Sequence, residues 1–263
     1  MRSLLAIEWL KIKRYRTFWI LVGFFAVLLP LWNYEVANGM INMGKNSINL
    51  LSQAYNFPEV WGNLGFWASI FIVFLSILVI ILTTNEFSFR THRQNIIDGW
   101  SRLQFYHAKV GMVLLLSVLA TLYLFILGVI FGLLNGGSPV DIFERFEQVG
   151  YFFLLSVDYL GFALLISILI KRSGLSIGMF LLYALIVESI LKGILNWSFD
   201  TASPGNYLPL QSSDELLPFP FIRMAQQMIS KETISMWPYV IVTIIWCSIY
   251  YFAGRRILLR RDW

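Results

Sequence analysis

Residues Glu86 to Lys109 read EFSFRTHRQNIIDGWSRLQFYHAK, a long polar stretch set between two apolar runs. Thr91 to Asp98 has room for two helical turns. Gly99 stands just beyond them, where glycine tolerates the left-handed backbone that ends a helix. Ser101 and Gln104 have capping-box spacing, so a second helix starts there and continues into the next apolar run. The stretch therefore predicts a short helix, a sharp turn and a long helix. Ile96, Ile97 and Trp100 give the short helix an apolar face among Glu86, Arg90, Arg93, Asp98 and Arg102. That mixture suits a surface helix seated in a partner's groove better than a solvated tether.

Outside this stretch the chain is greasy. Of its 263 residues, 58% are hydrophobic and 13% charged, too apolar for a soluble domain of this length. Six apolar runs each approach the roughly 20 residues a helix needs to cross the hydrocarbon: Phe18–Asn33, ended by Pro30, then Trp61–Thr84, Val110–Leu134, Val149–Ile170, Leu175–Trp197 and Trp237–Ala253. The reading is an all-α polytopic membrane protein, a single transmembrane domain over residues 1–263. Residues 1–17 carry Arg2, Lys11, Lys13, Arg14 and Arg16, with Leu5, Trp9 and Ile12 at helical spacing. They predict an amphipathic helix lying on the membrane surface, its cations towards anionic headgroups. A cleavable signal peptide fits poorly, because the charged region is long and holds Glu8, Pro30 interrupts the apolar end, and no clean small-x-small site follows before Asn38.

The cations set the topology. Fifteen Lys and Arg lie on the side holding both termini and the Glu86 to Lys109 stretch, against four on the other side, where nine of the fifteen acids lie. By the positive-inside rule both termini and the stretch are cytoplasmic. Of the outer segments, Ser138, Pro139 and Asp141 predict a helix start that rests Ile142, Phe143 and Phe146 on the outer leaflet. The last, Ser198 to Met236, mixes turn residues with an amphipathic piece from Phe219 to Ile229, and is expected to cap the helices or dip into the bilayer.

No catalytic constellation is present. His92 and His107 are the only histidines, and neither has a carboxylate at ligand spacing, so no metal site is expected. Gly39, Gly44, Lys45 and Asn46 approach a phosphate-binding loop. However, Asn46 replaces the hydroxyl that would hold magnesium, no strand precedes the loop, and it falls on the outer side. Cys247 is the single cysteine, so no internal disulfide forms.

Charges inside the apolar runs are informative, since one near the bilayer centre costs about 2.5 to 3.5 kcal/mol even on permissive scales. Glu188 and Lys192 stand four apart and can pair along one helix face. Asp158 lies about 13 Å into an antiparallel neighbour, at mid-depth, and can complete a network with them. The three residues either fix helix packing or line a substrate path. Gly128 with Gly132, and Gly174 with Gly178, have spacing that lets helix backbones approach closely.

The Glu86 to Lys109 stretch resembles the cytoplasmic loop of ABC-2 family transporter permeases. Members show an acid at the end of the second membrane helix, a Gly-Thr pair, a Pro-x-Ser-Arg run and a lysine at the mouth of the third helix. Glu86, Thr91, the Ser101-Arg102 pair and Lys109 match at the family's intervals. Arg90 and Gly99 stand where the family favours glycine and proline, and His92, Gln94 and Asn95 where apolar residues are usual. The start IEWLKIKRYRTFWI is similar to permeases of the bacitracin-resistance and lantibiotic-immunity type. The resemblance implies a permease in a bacterial cytoplasmic membrane, paired with a second permease chain and two ATPase subunits that carry the ATP and magnesium. No cofactor and no nucleic acid is expected on this chain. It further implies that Glu86, Thr91, Arg93, Ile96, Ile97, Asp98, Trp100, Ser101, Arg102 and Lys109 form the ATPase-coupling site. Two other classes stay open: an ion-coupled secondary transporter built of inverted three-helix repeats, and a non-transporting scaffold or sensor.

Overall fold

The structure, a computed structural model, describes residues 12–13, 15–38, 55–91, 97, 99–199, 203–220 and 235–260. Six helical spans are long and apolar enough to cross a membrane, and no strand occurs among the described residues. They are α1 (Arg16–Ala37), α2 (Val60–Ser88), α3 (Arg102–Leu134), α4 (Glu147–Ile170), a fifth span made of α5 (Ser173–Leu182), a π turn (Tyr183–Val187) and α6 (Glu188–Ser198), and α8 (Trp237–Arg260). The short α7 (Gln211–Asp214) lies in the segment between the fifth span and α8. Most of the 1–17 surface helix, the Gly39 to Asn46 loop and most of the Phe219 to Ile229 piece fall outside the described residues.

The helices α2 and α4 form the centre, and α1, α3, the fifth span and α8 surround them. Ordinary amphipathic patterning is absent from α2, an apolar helix over half of whose most apolar stretch is buried among its neighbours, as expected of a central membrane helix. Its wholly buried Trp61 stacks on Phe125 at 5.7 Å between ring centres, and its indole N–H donates to the Ile142 carbonyl at 3.0 Å.

Several expectations are corrected. Pro30 does not end α1, which continues to Ala37. Proline cannot donate to the carbonyl four residues back, and in lipid that orphan must find another partner. The Tyr123 hydroxyl of α3 supplies it by donating to the Ala26 carbonyl. The Gly128 and Gly132 pair receives aromatic rings rather than a helix backbone. An added Cβ would stand 2.2 Å from Trp61 at Gly128 and 2.3 Å from Phe57 at Gly132. Gly174 and Gly178 face open space within this chain. Ser138 does cap a short turn, Pro139–Phe143, by accepting from the Val140 N–H. Of the residues placed on the outer leaflet, Phe143 is exposed, whereas Phe146 packs edge-on against Trp61 and Phe125.

The fifth span is interrupted midway by its π turn, with no glycine or proline at the break. An extra residue in one turn rotates the remainder of the helix by about 100°. Leu185 and Ile186 are exposed on the turn, while the next residue but one, Glu188, is fully buried.

Candidate functional site

At one end of the bundle lie Ile12, Lys13, Tyr15, the end of α2, the start of α3 and the end of α8. The α2 helix closes on Phe89, and Arg90 takes a left-handed conformation with φ 55°. Gly99 has φ 95°, as expected of the sharp turn. Ser101 and Gln104 form the full capping box: the Ser101 hydroxyl accepts from the Gln104 N–H at 3.1 Å, and the Gln104 side chain accepts from the Ser101 N–H at 2.8 Å. Glu86 and Lys109, set far apart in sequence, meet as a buried ion pair with Lys109 Nζ 2.7 Å from Glu86 Oε1. Lys109 Nζ also lies over the Phe105 ring, 5.4 Å from its centre. Thr91 Oγ1 donates to the Glu86 carbonyl at 3.5 Å, and Asn85 Nδ2 donates to the Tyr15 hydroxyl at 2.9 Å.

The start of α3 is also tied to α8. Arg102 Nη1 donates to the Leu259 carbonyl at 3.2 Å and the Tyr106 hydroxyl to the Tyr251 carbonyl at 2.7 Å. His107 Nε2 lies 3.1 Å from the Tyr251 hydroxyl, with the two rings stacked. His107 is thus a packed histidine rather than the solvated one its basic surroundings suggest. Of the apolar face, Ile97 is 83% exposed and Trp100 is half-buried. Arg93, Ile96 and Asp98 lie outside the described residues.

Towards the other end, Asp158, Glu188 and Lys192 converge on the segment that holds α7 rather than on one another. The expected Glu188 to Lys192 pair is not made. Glu188 Oε1 accepts from the backbone N–H groups of Leu210 at 2.7 Å and Gln211 at 3.3 Å, while Lys192 Nζ pairs with Glu215 at 2.5 Å. Free amides at the start of a helical turn attract an anion more strongly than does a cation exposed at the rim. Asp158 Oδ2 accepts from the Ser213 hydroxyl at 2.8 Å, and Cys247 Sγ lies 3.7 Å from its other oxygen. Asp214 accepts from the Tyr159 hydroxyl at 2.9 Å, and Thr243 donates to the Ser212 hydroxyl at 3.1 Å. Each polar residue of the Gln211 to Glu215 run is therefore held by α4, α6 or α8, or by the run itself. Because Asp158 is near the middle of α4, α7 dips between the helices instead of only capping them. Burial pushes the Asp214 carboxyl up to about 7, against the Tyr159 hydrogen bond and the Lys192 cation, which lower it.

Beside α7 opens a cavity of about 650 Å³ between α2, the fifth span and the segment that holds α7. Phe66, Ile70, Leu185 and Leu217 contribute apolar walls, and Lys192, Asp214 and Glu215 contribute charge. Sequence reasoning missed Tyr159, Ser213, Asp214 and Glu215. The available signal was a run of polar residues, QSSDE, wedged between Leu210 and Leu216 in an otherwise turn-rich segment.

Among the described residues no cluster of His, Cys, Asp or Glu has metal-binding geometry. No curated protein matches this chain. A family model described as "ABC-2 family transporter protein" matches residues 4–187, which takes in most of the basic N-terminal residues, the Glu86 to Lys109 stretch and the fifth span through its π turn. The chain is a multi-pass membrane permease belonging to the ABC-2 transporter family, whose members transport with an ABC ATPase partner.

Proposed function

We propose that this chain is the permease subunit of an ATP-driven exporter in a bacterial cytoplasmic membrane, and that its ATPase docks on the Glu86 to Lys109 stretch. Two ATPase subunits and a second permease chain complete the machine, with ATP and magnesium held on the ATPases. The observation that supports docking is an exposed apolar side chain between two tethered helix ends. The stretch is clamped at both ends by the Glu86 to Lys109 ion pair, while Ile97 between them projects from the chain. An apolar side chain so placed gains most by entering a groove on another protein.

The geometry gives such docking two routes outward. ATPase closure displaces the stretch, and the ion pair makes the ends of α2 and α3 move together as one rigid element. Through Arg102, Tyr106 and His107 the same displacement reaches α8, whose Thr243 and Cys247 touch the α7 cluster. Tyr251 and Thr243 are eight residues apart, or about 12 Å along a helix. The cavity beside α7 then lies where such motion changes its walls, and its apolar lining suits an amphipathic or hydrophobic substrate. A photo-crosslinking residue placed at Ile97 tests the docking. It should capture the ATPase subunit, and crosslinks confined to lipid would refute the reading.

A further inference from the structure

Resting on that exporter reading, we infer that the cavity beside α7 binds a hydrophobic cation, a ligand with a large apolar body and one ammonium, guanidinium or phosphonium charge. The argument is one of charge balance in an apolar place. Asp214 and Glu215 line the cavity, and Lys192 is the one cation lining it among the described residues. That cation is already committed to Glu215. Immediately behind the wall stand Glu188 and Asp158, both wholly buried, with no cation within ion-pair distance among the described residues. Glu188 spends Oε1 on the Leu210 and Gln211 amides, and its Oε2 is buried without a hydrogen-bond partner. Among the described residues four carboxyl groups thus surround one ammonium, and a cation entering the cavity favours their ionised form, which in turn holds the cation.

The rest of the lining selects for the body of the ligand. Phe66, Ile70 and Leu185 present rings and branched chains, and aromatic faces attract cations as well as apolar groups. A small hydrated ion gains little from such walls, because it would lose its hydration for few oxygen ligands. An apolar anion is repelled. A lipophilic cation gains both burial and charge complementarity.

Tetraphenylphosphonium and tetraphenylborate, near in size and shape and opposite in charge, are the probes. Equilibrium binding to the purified full-length chain in nanodiscs of zwitterionic lipid should show saturable binding of the phosphonium and none of the borate. Glu215→Gln should weaken phosphonium binding roughly tenfold, because it leaves Lys192 as an unopposed cation in the cavity. Lys192→Met should strengthen it by a similar factor, a gain that a misfolded variant cannot produce. Ile70→Trp, which narrows the cavity without changing charge, should weaken it. Equal binding of the borate, or phosphonium binding indifferent to both charge substitutions, would overturn the inference. If the phosphonium fails to bind while the ATPase still docks at Ile97, this inference falls and the exporter reading stands.

Discussion

Lys109 Nζ lies 2.7 Å from Glu86 Oε1, and both side chains are buried where the end of α2 meets the start of α3. The pair ties the end of α2 to the start of α3. Removing one member of a buried ion pair costs about 3 to 5 kcal/mol, whereas removing both costs much less. Lys109→Met should therefore lower the unfolding temperature of the purified protein sharply, and Glu86→Gln in the same chain should recover most of the loss. A double variant less stable than Lys109→Met would show that the two groups act independently.

Arg90 sits at φ 55°, a conformation that costs a residue with a side chain roughly 1 to 2 kcal/mol. Glycine avoids that cost but loses more freedom on folding. Arg90→Gly is expected to leave stability unchanged or raise it by up to about 1 kcal/mol, and Arg90→Val to lower it. Thermal unfolding monitored by tryptophan emission would order the three proteins.

Tyr123 satisfies the Ala26 carbonyl that Pro30 leaves open in α1. Tyr123→Phe should cost about 1 to 3 kcal/mol, the penalty for an orphaned buried acceptor. The same substitution combined with Pro30→Ala should cost far less, since alanine restores the donor. Hydrogen exchange of α1 would register the difference directly.

Gly128 and Gly174 offer a contrast. A methyl group at Gly128 meets the buried Trp61 ring, so Gly128→Ala should destabilise by roughly 1 to 3 kcal/mol through overpacking. Gly174→Ala meets nothing within 4 Å in this chain and should be neutral in the isolated monomer. Unfolding of both variants under matched detergent conditions checks the pair.

Asp214 has a folded pKa of about 7 against an ordinary value of 3.8, so the folded state keeps a proton that the unfolded chain has lost. Its contribution to stability is complete below about pH 4 and is lost as pH rises through about 7. The unfolding temperature should decline across that window, and Asp214→Asn, which keeps an acceptor for Tyr159, should flatten the decline. An unchanged pH profile in the variant would assign the effect to another group.

Much of the fold was legible because a membrane helix announces itself by length and hydropathy, and the Ser101 and Gln104 cap by spacing alone. The six spans and the turn at Gly99 obey such local rules. The features that stayed hidden depend on contacts between distant residues. That Glu86 and Lys109 touch could not be read from the interval between them. Glu188 looked paired with Lys192 because helix spacing permits it, yet the amides of Leu210 and Gln211 compete better. The π turn has no glycine or proline to mark it. The polar run at Gln211 to Glu215 has the composition of a surface loop, and only its contacts with Asp158, Tyr159, Lys192 and Thr243 place it among the helices.

The docking of an ATPase on the Ile97 face is best tested by co-purification. Ile97→Asp places a charge on an exposed apolar contact without touching the Glu86 to Lys109 pair. The tagged variant should insert in the membrane at normal levels and lose its ATPase subunit and all transport. Full recovery of the ATPase with the variant would place the docking surface elsewhere and remove the basis for the proposed path of force.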